Sequence, residues 1–253
     1  MRLYADRVVR LTLCEWKLRE QSSMFGFAFT LLQPLLLFTV LYGLFTKWMG
    51  SRTEAYAFYL LIGIVQYGFF NAGTTVGLTS MSRRRGVILN FKIPRDAVVL
   101  AAVLSVALSH AAELGLMLAF TLALGGKLSA AWLFLPALGA LELLLVAGVS
   151  FWLAALGARF PDLERVWSVL MTAGFFVTPV FYTLDAIDPS RRRLLLLSPV
   201  TRIIEMTRGC VLRGEAPPLA VFAGVAVAAA AVAATGWAFF KSRELEIADW
   251  VAV

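Results

Sequence analysis

Six apolar runs, each close to the length of a bilayer-crossing helix, are strung along this chain with short charged connections between them. They extend approximately from Phe25 to Trp48, Tyr56 to Ser80, Ala97 to Leu124, Trp132 to Ala158, Val166 to Tyr182 and Leu219 to Phe240. A hydrocarbon core of roughly 30 Å takes about 20 apolar residues as a helix, more than a soluble core helix needs. Charged residues make up 15% of the chain, against the roughly 25% usual in soluble domains, and the mean hydropathy is +0.80. The expectation is an all-α integral membrane protein with six transmembrane helices in a single domain covering residues 1–253.

The net charge of +7 would raise nucleic acid as the partner of a soluble protein. Here the cations gather between the apolar runs, where cytoplasmic loops meet anionic lipid, so nucleic acid is set aside in favour of membrane lipids. With the N-terminus inside, 14 Lys and Arg fall on the cytoplasmic side, and the two short outer loops hold 3, namely Lys47, Arg52 and Lys127. Both termini are therefore expected in the cytoplasm, with 241–253 as a cytoplasmic tail. Residues 184–218 break the pattern, because this outer stretch holds Arg191, Arg192, Arg193, Arg202, Arg208 and Arg213. A seventh span there would carry Arg202, Glu205 and Arg208 through hydrocarbon at about 2.5 to 3.5 kcal/mol each near a helix centre. Ser198 and Pro199 would also interrupt it. A re-entrant helical hairpin covered by protein is the preferred reading.

Ahead of the first run, Tyr4, Val8, Leu11, Cys14 and Leu18 recur at helical spacing among cations, as in a helix lying in the headgroup plane over residues 1–24. This segment is too charged for the apolar core of a signal peptide, so the N-terminus is read as retained. Two distant cysteines, Cys14 and Cys210, and a single histidine support neither a disulfide framework nor a metal site. "LGGKLSA" resembles a phosphate loop only superficially, since it lacks the leading glycine and has Leu128 where a hydroxyl would reach magnesium. ATP and magnesium are accordingly assigned to a partner, with no cofactor on this chain and no catalytic residue.

Several residues inside the runs stand out. His110 and Glu113, three apart near the middle of the third, and Glu142 in the fourth are costly in lipid, and they read either as a proton relay or as mutually satisfied pairs. Pro34 predicts a kink in the first run, with Gln33 placed to satisfy a freed carbonyl. Phe38, Tyr42 and Phe45, and Trp167, Met171, Phe175 and Tyr182, form two sets at helical spacing. They suit lipid-facing packing or a stacking track for sugar rings. Gly73 and Gly77 have GxxxG spacing, and "AVAVAAAAVAAT" offers small side chains for close packing.

The order of local motifs resembles ABC type-two exporter permeases of the branch that moves lipid-linked polysaccharides such as O-antigen, capsule and teichoic acid. The marks are "EWKLREQSS" leading into "LLQPLLLF", "FKIPRD" after the second run, "RFPDLERV" before the fifth, "TPVFY" ending it, and "SPVTRIIEMTR" in the outer segment. Ser198 stands where the family usually has Asn, and Arg202 where a smaller or uncharged residue is expected. The resemblance implies a homodimer in the bacterial inner membrane, each half joined to an ATPase subunit, with a channel between the halves. It makes 81–96 the coupling segment, where Arg83, Arg84, Arg85, Lys92 and Arg95 meet acidic groups of the ATPase and Val87, Ile88, Leu89 and Phe91 add apolar contact. It makes the N-terminal helix a cytoplasmic gate, with Lys17 and Arg19 attracting the lipid pyrophosphate, and it gives the aromatic sets to the channel and Arg191, Arg192, Arg193 and Glu205 to the exit. Rival readings are efflux of small drugs or lipids and a proton-coupled transporter built on His110, Glu113 and Glu142.

Overall fold

The computed structural model describes residues 2–20, 26–48, 54–90, 93–123 and 125–252, and every regular element among them is helical. In chain order these are α1 (Arg2–Glu20), α2 (Gly26–Trp48), α3 (Glu54–Arg83), α4 (Arg85–Asn90), α5 (Arg95–Ala123), α6 (Leu135–Arg159), α7 (Leu163–Val177), α8 (Pro189–Leu195), α9 (Pro199–Arg208), α10 (Leu219–Ser242) and α11 (Glu244–Ala252). A 3-10 turn over Ala130–Phe134 leads into α6, and a π turn over Gly209–Arg213 extends α9. Among the described residues, Arg95–Ala123, Ala130–Arg159 and Leu219–Ser242 are each long and apolar enough to cross a bilayer. The protein is a multi-pass, all-α integral membrane protein.

The core is a bundle of α3, α5, α6 and α10 held by small residues. Lipid supplies no hydrophobic drive between helices, so close approach and dispersion must hold them. The glycine pair on α3 provides that approach: Gly73 faces Val146, Gly77 faces Ser150, and the Ser150 hydroxyl donates to the Gly73 carbonyl at 3.4 Å. On its other side α6 meets the alanine-rich α10. A Cβ on Gly148 would come within 2.6 Å of the Ala233 backbone, and one on Gly236 would overlap the Gly148 carbonyl. These registers run α3, α6 and α10 parallel. Helix α5 is antiparallel to them, with Met117 against Leu61 and Val65, and His110 stacked on Phe69 at 4.3 Å.

Two expectations shift. The fifth apolar run forms a helix of 15 residues, about 22 Å at 1.5 Å per residue. It stops because Thr178 precedes Pro179 and adopts the extended conformation that a following proline favours. Helix α1 buries Val8, Thr12 and Glu20, a row of i+4 neighbours completed by half-buried Trp16, whereas Cys14 and Leu18 of the anticipated stripe are exposed. Trp16 and Glu20 of that row bond to Ser109 on α5, whereas the Thr12 hydroxyl donates to the Val8 carbonyl of its own helix.

The stretch after α7 is folded around Arg208, which is fully buried. Its guanidinium donates to the carbonyls of Tyr59 (3.1 Å), Pro179 (2.7 Å) and Val180 (2.8 Å) and to Glu205 Oε1 (2.7 Å), and it lies 3.3 Å from the centroid of the Tyr59 ring. Tyr59 Oη donates to the Tyr182 carbonyl at 3.0 Å, and Tyr56 Oη to that of Phe181 at 2.7 Å. Helix α9 begins on a Ser198 hydroxyl that accepts from the Thr201 amide, with Pro199 in the first turn. Ser198 thus performs the capping that an asparagine would. Arg202 is held by the Leu196 carbonyl at 2.7 Å. Gly214, at φ +68°, reverses the chain after the π turn, and its carbonyl accepts from Ser129.

Gly63 leaves the space Arg208 occupies: a Cβ there would lie 2.5 Å from Nη2 and 2.8 Å from the Val180 carbonyl oxygen. Gly63→Ala is expected to destabilise the protein by about 1–3 kcal/mol, and Arg208→Met by about 3 kcal/mol or more through the acceptors it orphans. Thermal unfolding in detergent reads both. An unchanged midpoint for either would mean that the segment is not clamped at this point.

Candidate functional site

A cavity of ≈ 580 Å³ opens between α2, α3, α5 and α7. Helix α2 contributes Gln33, Pro34, Leu37 and Leu41, so the proline expected to kink this helix forms part of the wall. Helix α3 contributes Tyr67, Phe69 and Asn71, α5 contributes Ser109, His110 and Glu113, and α7 contributes Met171, Thr172, Phe175 and Phe176. Arg19 of α1 also borders it. Gln33, Asn71 and Thr172 are exposed polar groups on largely apolar helices, and such groups are costly to leave against hydrocarbon. His110 Nδ1 lies 3.7 Å from Glu113 Oε2, too far for a hydrogen bond. Both carboxylate oxygens of the fully buried Glu142 lack a hydrogen-bond partner among the described residues. His110 and Glu113 thus stand at ion-pair distance without a hydrogen bond between them, and Glu142 has no hydrogen-bond partner among the described residues.

Arg19 is oriented by its neighbours. It donates to Glu20 Oε1 (3.0 Å), the Ser105 hydroxyl (3.2 Å), the Ser105 carbonyl (2.8 Å) and the Ser109 hydroxyl (2.6 Å). Ser109 also accepts from Trp16 Nε1 at 3.1 Å and donates to Glu20 at 2.8 Å. Two serines one turn apart on α5 thus hold the end of α1. Lys17 is exposed.

The basic connection after α3 is divided between inward and outward roles. Arg84 Nε donates to Glu15 of α1, and that hydrogen bond holds the guanidinium pKa above its ordinary value. Arg95 donates to the Glu244 carbonyl at 2.5 Å. Asp96 is buried and accepts from Tyr4 Oη (2.9 Å) and Lys241 Nζ (3.0 Å), so α1, α5 and α10 meet at one carboxylate. Burial first, and then this carboxylate, push the Tyr4 hydroxyl above its usual range. Ile88 packs inward with Met81, Val98, Phe240 and Ile247, anchoring α4 to the bundle. Arg83 and Arg85 are exposed. Phe91 and Lys92 lie outside the described residues, as do the side chains of Phe45, Val87 and Leu89.

Of the two aromatic sets, Met171 and Phe175 reach the cavity. The Met171 carbonyl accepts from Tyr67 Oη at 2.6 Å, and the Tyr67 and Phe175 rings meet edge to face at 5.5 Å. Trp167 donates to Thr74 at 3.1 Å, Tyr182 donates to the Val177 carbonyl, and Phe38 stacks on Tyr42 within the packed interior. Arg191, Arg192 and Arg193 are exposed on α8, with Arg192 paired to Asp185 at 2.9 Å, and Glu205 belongs to the Arg208 cluster. Sequence reasoning missed Ser105, Ser109 and Asn71. Of these, Asn71 carried a signal, as an amide in the middle of an apolar run.

A largely apolar cavity with a few convergent polar groups inside a multi-pass helical bundle is compatible with a membrane permease. The chain belongs to the ABC-2 type transporter family, whose profile matches residues 7–212. It is 28% identical to the O-antigen export system permease protein RfbA of Myxococcus xanthus over 251 residues, 97% of this chain and 95% of that protein. It is 26% identical to the RfbA permease of Klebsiella pneumoniae, over 83% of this chain and 81% of that protein. The polysialic acid transport protein KpsM of Escherichia coli is 23% identical, over 82% and 81%.

Because Ser109 joins Trp16, Arg19 and Glu20, Ser109→Ala is expected to weaken the attachment of α1 by about 1–3 kcal/mol. Hydrogen exchange should then quicken over residues 12–20 and stay unchanged over α6. Unaltered exchange in α1 would show that these bonds do not hold it.

Proposed function

We propose that this chain is the permease subunit of an ATP-driven exporter that carries a lipid-linked polysaccharide, of O-antigen, capsule or teichoic acid type, across a bacterial cytoplasmic membrane. The observation that carries this reading is the similarity to an O-antigen export permease along almost the whole of both chains. In this reading α2, α3, α5, α6, α7 and α10 are the six spans and both termini are cytoplasmic. The parallel course of α3, α6 and α10 supports that alternation. Residues 184–218 are re-entrant. In support, Phe181, just before the segment, and Gly214, near its end, are tied to Tyr56 and Ser129, near the starts of α3 and α6 respectively. Arg208 is also covered by protein, as a charge at membrane depth requires. Helix α1 lies at the inner surface, its exposed Val9, Leu13 and Leu18 facing acyl chains.

Two copies assemble with two ATPase subunits. The outward apolar side chains of α2 and α7, among them Leu36, Val40, Val169 and Phe176, then flank a channel between the copies, with Met171 and Phe175 beside it. Lys17 and Arg19 attract the lipid pyrophosphate, and the cations of α8 with Glu205 shape the exit. Arg83 and Arg85 face the ATPase, whereas Arg84 and Arg95 hold the coupling segment to α1 and α11. Nucleotide and magnesium bind the ATPase, and this chain makes and breaks no covalent bond.

Deleting the gene should abolish the cell's surface polysaccharide while lipid-linked glycan accumulates inside, and the wild-type gene should restore export. Restored growth with no change in surface glycan would reject the substrate class. Arg83→Glu is expected to reduce copurification of the ATPase roughly fivefold, as for a charge at the rim of a contact. Undiminished copurification would remove this residue from the docking surface.

A further inference from the structure

His110 and Glu113 lie one turn apart on α5 and both line the ≈ 580 Å³ cavity. His110 is 5% exposed, yet neither ring nitrogen has a hydrogen-bond partner among the described residues. The nearest carboxylate oxygen, Glu113 Oε2, stands 3.7 Å from Nδ1 and makes no hydrogen bond of its own among those residues. A pair serving only to satisfy itself would close that gap, because unpaired buried polar atoms cost stability and call for a partner. The imidazole plane is fixed by Phe69, parallel to it within 8° at 4.3 Å, so the ring is held in one orientation with both nitrogens buried and unpaired among the described residues.

The surrounding wall narrows the partner's chemistry. Gln33 and Asn71 add neutral amides, and Phe175 and Phe176 add aromatic surface. The one cation on the wall among the described residues, Arg19, is already bonded to Glu20, Ser105 and Ser109. An anionic group beside Glu113 would be repelled, and a purely apolar ligand would leave His110, Glu113 and the amides unpaired. A ligand that both donates and accepts through several hydroxyls while offering an apolar C–H face satisfies all of them. We infer that His110 and Glu113 form a hydroxyl-binding subsite for a sugar ring inside the permease. That this ring belongs to the exported glycan rests on the function proposed above. The volume suits a ring or two rather than a long chain, so the subsite grips the polymer locally as it passes.

His110 is the only histidine of the chain, which permits a direct test. The permease, labelled with ¹³C,¹⁵N-histidine and carrying a histidine-free tag, is assembled with its unlabelled ATPase in nanodiscs. It is then titrated with the strain's own surface glycan, released by mild acid and trimmed to short chains. The single imidazole resonance is expected to move saturably, and Glu113→Gln should raise the apparent Kd about tenfold or more, as for the loss of a hydrogen bond to a charged group. His110→Gln should likewise impair export, with unchanged membrane levels and ATPase copurification. If the wild-type permease restores export in the deletion strain but the resonance stays fixed throughout the titration, the subsite is wrong and the export reading stands. If the wild-type permease restores no surface glycan, the export reading itself fails. Should Glu113→Gln not assemble, the resonance of the wild-type protein still decides.

Discussion

A guanidinium with no access to solvent organises one half of this molecule. Arg208 is reached by backbone carbonyls from two separate stretches, Tyr59 on α3 and Pro179 with Val180 after α7, and by the carboxylate of Glu205 on its own helix. Five donors in a rigid plane suit that arrangement, which a lysine could not reproduce. Burying the charge is costly, and the cost is offset only because α9, the end of α7 and the start of α3 converge on it together. The short α7, its stop at Thr178, the absent side chain at Gly63 and the capped start of α9 are parts of one solution. Each lets the backbone come near enough to the arginine.

The opposite half is tied by polar contacts of a different kind. Asp96 gathers Tyr4 and Lys241, Glu15 meets Arg84, and Ser105 with Ser109 hold Arg19. Helix α1 is thereby bound to the segment on either side of α4 and to α5, more by hydrogen bonds than by apolar burial. Such contacts are directional, so they fix how α1 sits against the α4 segment. The cavity lies between these two polar regions, bordered by Arg19 at one of them.

The positions of most long helices were legible in the sequence because apolar length is a strong and local signal. Gly73, Gly77 and the alanine-rich run marked faces of α3 and α10 suited to close packing, but not that both would pack on α6. What escaped depends on partners distant in sequence. The inward face of α1 was not legible, because the side chains that turn it inward bond to serines some 90 positions away, and serines inside an apolar run carry no periodic signal. Arg202 and Arg208 were visible as charges too costly to expose to lipid, but the carbonyls that receive them were not. Of the aromatic sets, helical spacing identified the faces and not which would be consumed by packing. Tertiary contacts drew Phe38 and Tyr42 against the core and bonded Trp167 to Thr74, and they left Met171 and Phe175 at the cavity.

The central claim is that this bundle moves glycan only when an ATPase drives it. Inverted vesicles holding the permease with its ATPase, loaded with fluorescently tagged lipid-linked glycan, test it most directly. The account predicts that the glycan becomes protected from external glycosidase only with hydrolysable ATP, and that dissipating the proton gradient changes nothing. Protection without nucleotide, or protection lost on collapsing the gradient while ATP remains, would contradict it and turn attention to His110, Glu113 and Glu142 as a proton path.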